Sequence, residues 1–116
     1  MSTTTTEYTD ASLIYYQQGL NDSEVAKRTE VTIKMANAAG QSAKIVSDQL
    51  TAVWNNFYDG SKSLEYYADV MTALGAATAS STDEIAAGLE KFSAIAGTVG
   101  LSYEYAASAL ATITSN

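Results

Sequence analysis

Four small polar residues limit how this chain can fold: Asn21, Ser42, Ser81 and Ser102, each just ahead of apolar residues at three-to-four spacing. Such residues favour the N-cap of a helix, where the side-chain oxygen accepts a hydrogen bond from a backbone N–H that the first turn leaves unpaired. Glycines punctuate the same pattern, with Gly19 before Asn21, Gly40 before Ser42 and Gly100 before Ser102, where helices commonly end in left-handed backbone. In Ser81-Thr-Asp-Glu84 the glutamate stands three residues after the serine, the spacing of a capping box; Asn21 with Glu24 is a variant of it. The chain has no proline and twenty alanines, so helix propensity is high between the caps. The expectation is an all-α fold, a bundle or array of about six short helices.

Residues 1–8 are expected to be a disordered leader or a vector-derived remnant, and 9–116 a helical segment. Helix one is predicted from Thr9 or Asp10 to Gln18, turning Leu13, Ile14 and Tyr16 or Gln17 inward. Helix two runs to about Ala39, with Val25, Thr29, Ile33 and Ala36 on one stripe. Helix three has the strongest stripe, Ile45 or Val46, Leu50, Val53, Trp54 and Phe57, and Asp59-Gly60 supplies the turn after it. Helix four opens at Ser61 or Ser63 and carries Leu64, Tyr67, Ala68, Met71 and Leu74. Helix five has Ile85, Leu89, Phe92, Ile95 or Ala96 and Val99 beneath it, and ends at Gly97 and Gly100. The face of helix six is Tyr105/Ala106, Ala109/Leu110 and Ile113. It has no clear stop signal beyond Asn116, so the chain is expected to be an excerpt of a longer one.

Shifting the sequence by 60 residues superposes Glu24 on Glu84, Ala36 on Ala96, Gly40 on Gly100, Ser42 on Ser102 and Leu50 on Leu110. Val25 with Ile85, Met35 with Ile95 and Val53 with Ile113 fall between them as conservative pairs. Two three-helix units of about 60 residues, with halves at 9–60 and 61–116, would produce this register. So would any two capped, Ala-rich helix pairs of similar length.

The residues give chemistry little to work with. Without cysteine or histidine, thiolate zinc sites and Ser–His or Cys–His nucleophile pairs are not available. The net charge of −7 disfavours nucleic acid, which needs clustered basic residues. Only Lys27 and Arg28 are adjacent, and a solvated helix face is expected there. No signal peptide is visible, and no apolar window is long enough to span a membrane. Glu65 and Asp69 lie one turn apart, while Asp83 and Glu84 suit the first turn of a helix; neither pair has metal-loop spacing. No phosphate-loop spacing is found among the glycines. Gly88, costly mid-helix by about 1 kcal/mol relative to alanine, is expected to mark a close approach to a neighbouring helix. Catalytic, cofactor and metal residues are therefore expected to be none. Eight tyrosines against two phenylalanines is a composition that suits contact surfaces, and Tyr15, Tyr66 and Tyr103 are the candidate protein-contact residues. One member of each pair, Tyr15-Tyr16 and Tyr66-Tyr67, is expected to be buried and the other at the rim.

The strings SLIYYQQGLNDSEV, QLTAVWNNF and ALGAATASSTDEIAAGLEKFSAIAGTVGLSYEYAASALATIT resemble the N-terminal conserved region of phage tail tape measure proteins. The resemblance covers about Glu7 to the end, and the order and spacing of the caps in the last string carry it. It implies a largely helical structural segment without enzymatic activity, engaged in tail assembly and tail-length determination. The implied partners are further copies of itself and other tail proteins (tube subunits, assembly chaperones), not nucleic acid or membrane. The implied location is the tail lumen of a phage or prophage virion assembled in the bacterial cytoplasm. The alternative reading is a free-standing helical interaction module, an adaptor or a small secreted bundle.

Overall fold

Every N-cap serine or asparagine makes the hydrogen bond expected of it. In the computed structural model, which describes residues 5–78 and 81–114, six helices follow in order: α1 Thr5–Gln17, α2 Asp22–Ala39, α3 Ala43–Phe57, α4 Leu64–Ala77, α5 Thr82–Thr98 and α6 Tyr103–Thr114. Asn21 Oδ1 accepts from the Glu24 N–H at 2.9 Å, Ser42 Oγ from Ile45 at 3.3 Å and Ser102 Oγ from Tyr105 at 3.1 Å. Of the two serines offered for α4, Ser63 is the cap, 3.2 Å from the Tyr66 N–H. At Ser81 the box closes both ways: its hydroxyl accepts from Glu84 N–H at 3.1 Å, and the Glu84 carboxylate accepts from Ser81 N–H at 3.0 Å. Gly40 and Gly100 hold φ of 69° and 81°, the left-handed turn that closes a helix at little cost only in glycine. Among the described residues helix takes up 82% and no strand occurs, as the capping pattern predicts.

Helix α3 lies at the centre. It packs on α1, α2 and α4 and most extensively on α5, which in turn carries α4 and α6. The reason is its stripe. Val46, Leu50, Val53 and Trp54 are all buried and join Met71 of α4 with Ile85 and Leu89 of α5 in one core. Each such side chain contributes roughly 1.5–3 kcal/mol when removed from water. The stripes predicted for α2 and α4 are largely buried as well, though Ile33 and Leu74 are only partly so.

Helix α1 differs from expectation in two ways. It begins at Thr5, so residues 5–8 belong to a helix rather than to a leader; residues 1–4 lie outside the described part. Its docked side is Ala11 and Tyr15, while Leu13 and Tyr16 face solvent. The cause is what α2 offers. Thr29 and Thr32 point at α1, so the matching side chains are polar-tipped: the Ser12 hydroxyl lies 3.3 Å from Thr29 and the Tyr15 hydroxyl 2.6 Å from Thr32.

The outer helices also shift their apolar faces. Ala96, Ala106, Ala107 and Ala111 are buried, whereas Ile95, Val99, Tyr105 and Ile113 are exposed. Small side chains let α5 and α6 approach closely. At Gly88, a Cβ would run into the methyls of Leu110 and stand 3.1 Å from its Cγ, which is the close contact expected of a mid-helix glycine.

Candidate interaction surface

Four of the eight tyrosines, Tyr58, Tyr66, Tyr67 and Tyr103, gather where α3, α4 and α6 meet. The Tyr67 and Tyr103 rings lie 4.8 Å apart edge to face, with Phe57 5.4 Å from Tyr103 and Tyr66 5.5 Å from Tyr67. These tilted geometries suit aromatic quadrupoles. Each hydroxyl finds an acceptor: Tyr67 donates to the Phe57 carbonyl at 3.2 Å, Tyr103 to the Tyr67 carbonyl at 2.6 Å and Tyr66 to Glu104 at 2.7 Å. The Tyr66 phenol holds the Glu104 carboxyl below its ordinary pKa, because the bond favours the charged form.

Of the three candidate contact residues, two are inaccessible. Tyr15 and Tyr103 are buried, and both belong to the core that carries their helices. Only Tyr66, half-buried with its hydroxyl on Glu104 at the surface, stays within reach of a partner. In both tyrosine pairs the more exposed member is evident, Tyr16 over Tyr15 and Tyr66 over Tyr67. Tyrosine composition alone does not separate these cases, since a phenol is buried wherever the fold supplies an oxygen.

Tyr15 also has a titration consequence. The Thr32 hydroxyl donates its one proton to the Arg28 carbonyl at 2.8 Å, so Tyr15 is the donor in the Tyr15–Thr32 bond. Burial pushes its pKa up from 10.0 to about 12. A phenol that ionises later in the folded state stabilises the fold fully below pH 10 and loses that contribution between 10 and 12. Two units correspond to about 3 kcal/mol. Melting temperatures are therefore expected to fall steeply across that window, and less steeply in Tyr15→Phe. An equally steep fall in the variant would place the effect elsewhere.

The lone basic pair splits. Lys27 is exposed, but Arg28 is buried rather than part of a solvated face. Its guanidinium lies 4.9 Å from the centre of the Trp54 ring and 5.9 Å from Tyr58, with Nε 3.5 Å from Glu24 across one helical turn. Arginine suits such a place because its planar, weakly hydrated cation stacks on aromatic faces. No sequence signal marks the burial of Arg28, because the rings that cover it, Trp54 and Tyr58, are more than twenty residues away.

The carboxylates act locally. Glu65 pairs with Lys34 at 2.6 Å, Asp83 accepts from Gln49 at 3.4 Å and Glu84 completes the α5 cap. Among the described residues, no group of three or more His, Cys, Asp or Glu could hold a metal, and no helix is long and apolar enough to cross a membrane. A shallow groove of about 110 Å³ runs between α2 and α4, with Val31, Met35, Ala68 and Thr72 in its walls. Besides Ile45 and Tyr58, the large apolar groups left in solvent stand at two places: Tyr8, Leu13 and Tyr16 on α1, and Ile95, Val99, Tyr105 and Ile113 along the end of α5 and α6.

A family model described as phage-related minor tail protein matches residues 1–116. The chain belongs to that family. Membership makes it a structural protein of phage tails and suggests contact with other tail proteins. No curated protein and no solved structure matches the chain. For a minor tail protein, the exposed apolar side chains on α1, α5 and α6 are the residues that composition and spacing missed. All but Tyr8, which falls in the expected leader, have the helical spacing of a core face.

Proposed function

We propose that this minor tail protein chain is a folded segment of a tape measure protein, a non-catalytic scaffold that takes part in tail assembly and length determination from within the tail lumen. The observation that carries this reading is the family match across residues 1–116. The ordered capped helices between Leu74 and Thr114, which resemble tape measure sequences, narrow it from tail protein to ruler. The all-helical body and the apolar groups exposed on its outer helices suit a protein that acts by binding copies of itself and other tail proteins.

The test is an in-frame deletion of these 116 residues from the tail gene that carries them, with tail lengths measured by electron microscopy. A ruler segment extended as helix at 1.5 Å per residue would shorten the tail by about 170 Å. One that keeps its folded form would remove no more than its longest extent, 38 Å. Tails of unaltered length would refute the ruler reading and leave a minor structural component.

A further inference from the structure

The two halves of the chain meet through unlike surfaces. Contacts between them run from α2 and α3 on one side to α4 and α5 on the other. In the 60-residue correspondence α4 and α5 are the counterparts of α1 and α2, and the caps Asn21 and Ser81, with the closing glycines Gly40 and Gly100, recur at that spacing. One half thus presents its second and third helices, and the other receives them on its first and second. A junction of this heterologous kind leaves one presenting side and one receiving side unused.

Named residues match this scheme. On the presenting side, Met35 lies in the wall that α2 turns to α4, opposite Ala68. Val53 lies on the α3 stripe between Gln49, which bonds Asp83 of α5, and Asn56, which faces Gly97 of α5. Met35 and Val53 are 3% and 0% exposed. Sixty residues on, Ile95 and Ile113 occupy the same positions and are 61% and 71% exposed. The receiving side shows the converse. Ala68 and Ala86 are buried, while their counterparts Tyr8 and Ala26 are exposed. Large apolar side chains therefore stand in solvent where the chain itself shows what covers them.

We propose that the chain associates head to tail with a second copy of itself, the α5–α6 end of one docking on the α1–α2 end of the next. The junction repeats the one between the halves, and Ile95 of one copy meets Tyr8 of its neighbour as Met35 meets Ala68 within the chain. Because unlike surfaces pair, copies add in rows rather than closing as a dimer. This rests on the geometry of the chain and is independent of the ruler reading.

Sedimentation equilibrium of the 116-residue chain over a concentration series tests it, beside two variants: Ile95→Asp with Ile113→Asp, and Tyr8→Asp. The parent mass should climb from 12.2 kDa past that of a dimer. Each variant alone should stay monomeric, because one of its two ends is charged. Mixed one to one, the variants should form a dimer that grows no further, since one intact end of each kind remains. Serine replacements at the same sites serve if an aspartate variant loses helicity. A parent that stays at 12.2 kDa, a variant that associates as the parent does, or a mixture that stays monomeric would overturn the proposal.

Discussion

Leu50→Asp is expected to unfold the protein. Leu50 is fully buried in α3, the helix that touches α1, α2, α4 and α5. Truncation to alanine at such a site costs about 2–5 kcal/mol. Aspartate adds a charge with no partner in the core. Against a typical total of about 5–15 kcal/mol, that is enough to abolish the cooperative melt followed by circular dichroism. Leu89→Asp in α5 should behave alike, since Leu89 is equally buried. Ile95→Asp, by contrast, should alter monomer stability by about 0.5 kcal/mol or less. A Leu50→Asp protein with the parent's helicity and melting point would refute this assignment of the core.

Gly75→Ala should destabilise the fold although alanine is the better helix former by about 1 kcal/mol. An added Cβ would lie 2.5 Å from the Thr82 nitrogen and 2.7 Å from its Cα. Those are backbone atoms in the first turn of α5, which the Ser81–Glu84 box fixes, so no side chain can swing aside. One of the two helices has to move, at about 1–3 kcal/mol. Thermal melts would show this as a fall of several degrees. Gly97→Ala is the control. Its Cβ would stand 3.3 Å from the side-chain oxygen of Asn56 and no nearer than 3.4 Å to any other atom, a crowding that a shift of a few tenths of an ångström relieves, and the variant should melt at or above the parent. Equal melting points for Gly75→Ala and the parent would mean that α4 and α5 are less tightly apposed than the structure has them.

What the sequence disclosed follows the range of the forces involved. Helix ends were legible because capping is settled within three or four residues, as at Ser42, Ser63 and Ser81. The face of α3 was legible because its burial is hydrophobic and its spacing regular. The face of α1 was not, since Tyr15 and Ser12 dock through hydroxyls that answer Thr32 and Thr29, seventeen residues away in each case. The burial of Tyr103 is hidden from the sequence for the same reason, its acceptor being the Tyr67 carbonyl thirty-six residues back. Ile95 and Ile113 fit a core face by spacing, but what covers such a face depends on the neighbouring unit. Only the comparison of the two halves shows that their positions are covered in one and bare in the other.

Trp54, the single tryptophan, sits at the seam between those halves. Its indole N–H donates to the Leu64 carbonyl at 3.2 Å, tying α3 to the first turn of α4, and Tyr15 stands 6.0 Å from it ring to ring. The protein therefore carries its own optical gauge. Light absorbed by the tyrosines can pass to one emitter, and that emitter is shielded from water only while the seam is shut. The colour of its fluorescence reports separation of the halves, whereas far-ultraviolet dichroism reports the survival of the helices themselves. Followed together during unfolding, the two signals distinguish halves that part while still helical from a chain that melts in one step.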